Sequence, residues 1–228
     1  MKLLSTTALL VGVGAQPGPM ADSPHPEPMA PVGVYPEEQT YVSCDTTKGK
    51  LEIEVNHAWA PIGAAHFLDM VKDEYYTDIA LFRSVPEFIV QFGINDRTAP
   101  ELRQKYMHSR PLDDDPHVGN KVLRGTLTYA GGSAHSRTSQ LFFAYADQAH
   151  LGKQPWEVPF GKLRDEASLK VLDSFYKGYG DMAPWGNGPS PSDLEEHGNG
   201  YIRAEFPETD FIKTCKVVGN SDNEKPEL

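Results

Sequence analysis

The chain has 228 residues, which is enough for one well-packed domain with extensions, and we expect a single domain. Its 32 acidic and 21 basic side chains give a formal net charge of −11, which argues against binding to nucleic acids or anionic membranes. We therefore expect protein segments as partners, and a monomer.

The first 16 residues are typical of a secretory signal peptide. Lys2 precedes an apolar run from Leu3 to Val13 that is too short to span a bilayer, and small residues follow. We predict cleavage near Ala15 and no membrane attachment afterwards. A plastid or mitochondrial leader is the alternative, but such leaders are rich in arginine and this one has none. The expected location is the lumen of the endoplasmic reticulum or the outside of the cell.

Residues 17–38 are predicted to be an extended linker, because they are rich in proline and poor in core-forming side chains. The expected domain covers residues 39–220, and residues 221–228 form a tail. The tail ends in Lys-Pro-Glu-Leu, which differs at one residue from the Lys-Asp-Glu-Leu retention signal. Proline stands in place of the aspartate and removes a charge that the receptor reads. The sequence therefore does not decide whether the protein is retained in the endoplasmic reticulum.

Beyond the linker, the pattern predicts two strands and a helix. Strands at 41–45 and 51–55 are joined by a turn that ends at Gly49. Pro61 suits the first position of a helix, and its apolar stripe is expected to pack on the sheet. That stripe consists of Ala64, Phe67, Leu68, Val71 and Tyr75.

The next stretch sets one arginine and one glutamine among apolar side chains. Segments 81–85 and 88–92 alternate like half-buried strands, with a turn at Pro86 between them. In this alternation the side chains of Gln91 and Phe88 point to opposite faces of the strand. Arg83, Phe88 and Gln91 can therefore line one groove only if the turn swaps the two faces.

The remaining chain is predicted to be mostly strands and loops. Further strands are expected at 125–130, 141–145, 157–161 and 211–218, and a second helix at 168–176 with Ser168 as its N-cap. Segments 97–120 and 181–200 are predicted to be irregular surface loops. The acidic run 113–115 is interpreted as a solvated loop, because a calcium loop needs further oxygen ligands and a glycine turn. Many strands with few helices indicate an antiparallel barrel or a sandwich.

The strongest functional signal is a set of short motifs in a fixed order. In the first motif, Glu87 interrupts a match that consists of Phe82, Arg83, Pro86, Phe88, Gln91 and Gly93. It is followed by Gly-Thr-Leu-Thr-Tyr-Ala at 125–130, Ser-Gln-Leu-Phe at 139–142, Leu-Gly-Lys at 151–153 and Phe-Gly-Lys at 160–162. These blocks resemble the cyclophilin family of peptidyl-prolyl isomerases, in a branch met in bacteria and algae. Glu87 stands where the family has glycine.

The resemblance implies a mainly β fold, a closed eight-stranded antiparallel barrel capped by two helices. It also implies cis-trans isomerisation of X-Pro bonds in client proteins, with no cofactor and no metal, as an aid to protein folding. Arg83 is the expected catalytic residue, because a fixed guanidinium stabilises the lone pair that develops on the twisted amide nitrogen.

The same resemblance implies a set of substrate-binding residues. Those expected around the proline ring are Phe88, Ile89, Phe142 and Leu151, whereas Gln91 and Gln140 hydrogen-bond the substrate backbone and Ala130 adjoins them. Phe92 and Phe143 are interpreted as ordinary core.

Three positions depart from the family pattern. Gly131 stands where an asparagine is usual, His150 where many members have tryptophan, and Trp156 or Glu157 where a pocket histidine is common. We expect cyclosporin-type cyclic peptides to bind weakly, because imidazole offers less apolar surface than indole.

Other functions are less well supported by the residues. The eight histidines make no paired metal-ligand spacing, and no Gly-x-Ser-x-Gly or phosphate loop occurs. A non-catalytic binding module or chaperone for proline segments remains an alternative. A small-molecule carrier barrel is disfavoured, because Arg83 and Gln91 would then be polar groups in an apolar cavity.

Cys44 and Cys215 are the two cysteines of the chain. They fall in the first and last predicted strands, which are neighbours in the cyclophilin barrel. In a secreted protein the resemblance therefore allows a disulfide between them, and two buried thiols are the alternative.

Overall fold

The computed structural model describes residues 39–116 and 119–219. The predicted signal peptide (1–16), linker (17–38) and tail (221–228) lie outside the described residues, as does residue 220 at the end of the predicted domain.

One curled antiparallel sheet dominates the fold. Its strands are β1 (Gln39–Thr46), β2 (Lys50–Asn56), β3 (Ile79–Ala80), β4 (Arg83–Ser84), β5 (Ile89–Phe92), β6 (Thr126–Tyr129), β7 (Leu141–Ala144), β8 (Gly161–Leu163) and β9 (Phe211–Val218). Their order in the sheet is β3-β9-β1-β2-β8-β6-β7-β5-β4, and every ladder is antiparallel. The prediction of a mainly β, antiparallel fold is confirmed.

The closed eight-stranded barrel is not confirmed. The two edge strands, β3 and β4, follow each other along the chain with only Leu81 and Phe82 between them. No ladder joins β3 to β4 in the part of the chain that the structure describes. The backbone N–H of Leu81 donates instead to the carbonyl of Asp210, 2.9 Å away, just before β9. Only Arg83 and Ser84 of the predicted strand 81–85 lie in a strand, and the sheet remains open between β3 and β4.

Five helices accompany the sheet among the described residues, rather than the predicted two. They are α1 (Pro61–Lys72), α2 (Pro100–Tyr106), α3 (Glu166–Ser174), α4 (Pro191–His197) and α5 (Asn199–Glu205). The segments 97–120 and 181–200 are thus not irregular throughout. Proline stands at the start of α1, α2 and α4, where its missing N–H costs no helical hydrogen bond.

The predicted helix at 168–176 begins and ends two residues earlier, as α3. Asp165 is its N-cap and accepts a hydrogen bond of 2.7 Å from the N–H of Ser168. The hydroxyl of Ser168 instead accepts from the N–H of Glu52, 2.9 Å away on β2. Ser168 therefore joins the helix to the sheet, and its prediction as N-cap is wrong.

Two further segments differ from the prediction. The expected strand at 157–161 is a 3-10 turn (Pro155–Glu157) followed by β8, which begins at Gly161. In the acidic run, Asp115 is buried and accepts hydrogen bonds from the N–H groups of Ile62 and Gly63 at the start of α1. The interpretation of this run as a solvated loop is wrong for Asp115.

The main core lies between α1 and the inner face of the sheet. All five predicted stripe residues, at positions 64, 67, 68, 71 and 75, are buried there. Val90 and Phe92 of β5 and Phe143 of β7 also belong to this core, as predicted for Phe92 and Phe143. No helix in the described ranges is both long enough and apolar enough to cross a membrane.

The first and last strands, β1 and β9, pair directly. Cys44 lies opposite Cys215 in the ladder with 4.1 Å between their Cα atoms, and the two Sγ atoms are bonded. Both side chains are buried. The two cysteines are therefore neighbours in adjacent strands, as predicted.

Candidate active site

Arg83 and Gln91 face each other across a tight hairpin formed by β4 and β5. They are opposite residues in the ladder, and Nη1 of Arg83 donates to Oε1 of Gln91 at 3.0 Å. The turn is closed by hydrogen bonds from the N–H of Val85 to the carbonyl of Ile89 (2.9 Å) and from the N–H of Phe88 to the carbonyl of Val85 (3.1 Å). The hairpin thus brings the two predicted polar residues together.

Glu87 gives this turn an unusual backbone. Its φ is 58°, in the left-handed region that favours glycine, which is the residue that the family has here. Nε2 of Gln148 donates to the carbonyls of Glu87 (2.9 Å) and Phe88 (3.3 Å) and so braces the turn. Gln148 is buried, and the sequence analysis missed it. No local pattern marks a side chain that acts 60 residues away from it in sequence.

The apolar residues predicted for the proline pocket form one cluster. Ile89 and Phe142 are buried, and Phe88, Ala130 and Leu151 are partly buried against them. In the ladder between β5 and β7, Gln91 lies opposite Phe142 and Ile89 opposite Ala144. These side chains occupy the sheet face opposite to Val90, Phe92 and Phe143. Phe88 joins this group, so the turn swaps the faces as the groove requires.

A hydrogen-bonded row links Arg83 to the second predicted glutamine. Nε2 of Gln91 donates to Oε1 of Gln140 at 2.9 Å, and Gln140 stands immediately before β7. The backbone carbonyl of Gln140 accepts from the N–H of Ala130 at 2.9 Å. The predicted site residues of the groove therefore lie in one region along β4, β5 and β7, against which Ala130, after β6, and Leu151, in a loop, also pack.

Asp181 is the site residue that the sequence analysis did not find. Its Oδ1 accepts from Nε of Arg83 at 2.7 Å, and its Oδ2 accepts from Nη2 at 3.0 Å. The hydrogen bonds from Arg83 lower the pKa of the Asp181 carboxyl below its ordinary value, with a smaller contribution from the N–H of Met182. Asp181 is 98 residues from Arg83 in sequence, in a stretch predicted to be a loop, so no spacing rule pointed to it.

The departures from the family pattern concern neighbouring groups. A Cβ on Gly131 would lie 3.1 Å from both the Cβ and the carbonyl oxygen of Trp156. Glycine at 131 therefore makes room for tryptophan at 156. His150 is exposed and stacks on Phe88, with ring centroids 5.6 Å apart and an interplanar angle of 22°. It occupies the rim of the apolar cluster.

The arrangement holds a guanidinium beside an apolar pocket. Cζ of Arg83 lies 5.6 Å from the centroid of the Phe88 ring, and the Arg83 side chain is 20% exposed. Asp181 and Gln91 accept from three of its five N–H groups. Such a site can hold an apolar ring and offer hydrogen bonds at its edge. The described residues contain no group of three or more His, Cys, Asp or Glu side chains placed to hold a metal ion.

Comparison with known proteins agrees with this geometry. Residues 41–189 match the profile of the family described as cyclophilin type peptidyl-prolyl cis-trans isomerase/CLD. A peptidyl-prolyl cis-trans isomerase of Helicobacter pylori is 28% identical over 159 residues, which cover 66% of this chain and 93% of that protein. A peptidyl-prolyl cis-trans isomerase of Synechococcus elongatus is 29% identical over 139 residues, which cover 61% of this chain and 90% of that protein.

Other relatives are much longer than the matched region. An Arabidopsis thaliana peptidyl-prolyl cis-trans isomerase is 31% identical over 119 residues, which are 51% of this chain but 19% of that protein. Among solved structures, a cyclophilin-type isomerase of Cryptosporidium parvum superposes with a TM-score of 0.55 at 21% identity, covering 80% of this chain and 99% of that one. The same protein has been solved in the presence of the dipeptide Ala-Pro. Because the family profile spans more than half of the chain, the chain belongs to the cyclophilin-type peptidyl-prolyl cis-trans isomerase family.

Proposed function

We propose that this protein catalyses cis-trans isomerisation of X-Pro bonds in client proteins, with Arg83 as the catalytic residue. The observation that carries the proposal is the position of the Arg83 guanidinium. It is held by Gln91 at the edge of the cluster formed by Phe88, Ile89 and Phe142. Proline segments of other proteins are the proposed partners, and a monomer is the proposed working form.

The chemistry needs no cofactor. Rotation about an X-Pro bond must disrupt the partial double bond of the amide, at a barrier of about 18–20 kcal/mol, while the two isomers differ by only about 0.5–1 kcal/mol. An apolar pocket holds the proline ring, and the paired amides of Gln91 and Gln140 hold the neighbouring backbone. A guanidinium N–H then donates to the amide nitrogen, which becomes pyramidal and gains a lone pair in the transition state.

The test is a protease-free assay, in which exchange between the cis and trans forms of a short Ala-Pro peptide is followed by NMR. We expect the wild-type protein to accelerate exchange well above the spontaneous rate. Arg83→Ala should lower the rate at least about tenfold, equivalent to about 1.4 kcal/mol of transition-state stabilisation. The far-UV circular dichroism spectrum should stay unchanged.

Arg110→Ala is the matched control for this substitution. Arg110 pairs with Asp113 on the surface, its side chain is 49% exposed, and it lies outside the groove, so full activity is expected. A wild-type rate equal to the spontaneous rate would disprove catalysis. An Arg83→Ala protein as fast as wild type would remove Arg83 from its role.

The second candidate is a binding module that uses the groove without catalysis. One observation favours it, because Arg83 already carries a carboxylate partner that offsets part of its charge. In that case a proline peptide binds with measurable affinity, whereas its isomerisation rate does not change. Titration and the exchange assay on the same sample separate the two functions.

We further propose that the protein works in the secretory pathway or outside the cell. The proposal is supported by the pattern of residues 1–16 and by the pairing of Cys44 with Cys215, since disulfides persist in oxidising compartments. Expression with the native leader should give a mature protein in the lumen or medium that lacks about the first 16 residues. Accumulation of an uncleaved chain in the cytosol, or import into plastids, would contradict this location.

A further inference from the structure

The loop that carries Asp181 lies against the catalytic strand. Gly180 forms a β-bridge with Ser84, the residue after Arg83. The N–H of Gly188 donates to the carbonyl of Asp181 at 2.8 Å, and the N–H of Asn187 donates to the carbonyl of Tyr179 at 3.1 Å. Residues 180–188 therefore form a closed loop whose base, and not its tip, contacts β4. Asp181 sits in that base, where its backbone is fixed.

The carboxylate takes one edge of the guanidinium. Both its oxygens accept from Arg83, at Nε and Nη2, in the paired geometry that matches a planar carboxylate to a planar guanidinium. Gln91 accepts from Nη1 on the other side. A guanidinium held at three N–H groups cannot rotate without breaking at least one hydrogen bond. Its two other N–H groups, one on Nη1 and one on Nη2, have no acceptor among the described residues.

We infer that Asp181 is the positioning residue for Arg83, fixing the guanidinium so that its two remaining N–H groups serve the prolyl substrate. This inference rests on the proposed function. Without the carboxylate, only Gln91 would hold a long side chain that is partly exposed to water, and the guanidinium would sample several rotamers. The carboxylate also offsets part of the positive charge. The gain from positioning outweighs the reduction in positive charge on Arg83, because transition-state stabilisation by hydrogen bonds depends steeply on their geometry.

The kinetic test compares Asp181→Ala and Asp181→Asn with wild type. For Asp181→Ala we expect kcat/KM to fall about tenfold, while the dissociation constant of the peptide changes by less than about twofold, since geometry at the reacting bond is what is lost. Asp181→Asn keeps an acceptor for Nε of Arg83, so its kcat/KM should lie between those of Asp181→Ala and wild type. Asp173→Ala is the matched control, because it removes a carboxylate that pairs with Arg124 on the surface. It should leave the rate unchanged.

A double-mutant cycle distinguishes positioning from a structural role. If Asp181 acts through Arg83, Asp181→Ala should cause no further loss when Arg83 is already alanine. A similar loss in both backgrounds would show that Asp181 only supports the fold, and would overturn the inference. An Asp181→Ala protein that equals or exceeds wild type would overturn it as well.

A spectroscopic readout is independent of activity. The Nε–H proton of Arg83 can be assigned in NMR spectra by its disappearance in Arg83→Lys. We expect it to be protected from solvent exchange in wild type and exposed in Asp181→Ala. Equal exchange in both proteins would overturn the positioning role whatever the activity. A protected Nε–H in a wild-type protein without isomerase activity would instead contradict the proposed function.

Discussion

At the scale of single residues, His150 forms part of the rim of the pocket. Its imidazole stacks on Phe88 and is exposed, whereas many cyclophilins have tryptophan at this position. An indole offers a hydrogen-bond donor and a larger apolar surface to a ligand that covers the groove.

We therefore predict weak binding of cyclosporin-type cyclic peptides. Loss of one well-placed hydrogen bond costs about 0.5–1.5 kcal/mol, and with the missing apolar contact the affinity should be about one to two orders of magnitude below that of the tryptophan variant. Calorimetric titration of wild type and His150→Trp measures this difference. His108→Trp, at an exposed histidine that lies within reach of Glu195, is the control and should behave like wild type. Tight binding by wild type would show that His150 does not limit affinity.

The groove residues could be predicted because most of them lie on one hairpin and its neighbouring strand. Arg83, Phe88 and Gln91 are within nine residues of one another, so a short motif carries their relative positions. The contacts made by Gln148 and Asp181 depend on how a loop returns to the hairpin over about 60 and 98 residues. Alternation within a strand contains no information on such contacts, and only the structure shows them.

At the scale of elements, the start of α1 depends on a buried ion pair. Oδ2 of Asp115 accepts from Nη1 of Arg137 at 2.7 Å, and both side chains are fully buried. The same carboxylate accepts from the N–H groups of Ile62 (2.7 Å) and Gly63 (2.9 Å), which have no partner within the helix. One aspartate thus caps the helix and compensates a buried cation.

We predict that Asp115→Ala lowers the free energy of unfolding by about 3–5 kcal/mol, because it removes the carboxylate that hydrogen-bonds the buried guanidinium of Arg137. Asp113→Ala is the matched control from the same acidic run. Asp113 is partly exposed and pairs with Arg110, so its loss should change stability by no more than about 1 kcal/mol. Urea unfolding of the three proteins measures both values. Equal, small effects would show that the buried pair does not support α1.

Elements with strong periodicity were predictable, and those with mixed composition were not. The stripe of α1 and the alternation of β2 each put apolar groups on one side, so their positions followed from the pattern. Segment 181–200 is rich in glycine, proline and serine, which suggested a loop. Yet Ser190 accepts from the N–H of Asp193 at 3.3 Å, and Pro191 opens α4. The sequence Ser-Pro-Ser-Asp at 190–193 is typical of a helix start, but the loop-like composition of the segment outweighed this signal in the prediction.

At the scale of the whole molecule, the bond between Cys44 and Cys215 ties the first strand to the last, across 171 residues of sequence. In the chain-entropy account, closing such a loop stabilises the fold by up to about 5 kcal/mol. We predict that reductant lowers the urea midpoint of wild type and leaves that of the Cys44→Ser, Cys215→Ser double variant unchanged. Intact mass before and after reduction gives the state directly, and two free thiols in the secreted product would contradict the bond.

The overall architecture was predictable from resemblance only in its main character. Short strands separated by turns indicated an antiparallel sheet, and the sheet is present. The sheet is open because Leu81 and Phe82 leave the ladder and separate β3 from β4. A change in hydrogen bonding at two residues does not alter hydropathy, so the sequence pattern could not reveal it.

The pairing of the two terminal strands has a further consequence for how the molecule breaks. With Cys44 bonded to Cys215, the backbone between them is a covalent ring. A protease that cuts once in the exposed turn around Trp185, whose side chain is 79% exposed, converts this ring into an open chain without releasing a fragment. The nicked protein gains only the mass of one water and separates into two pieces when the disulfide is reduced. Damage in an oxidising medium thus leaves all the strands of the sheet attached to one another.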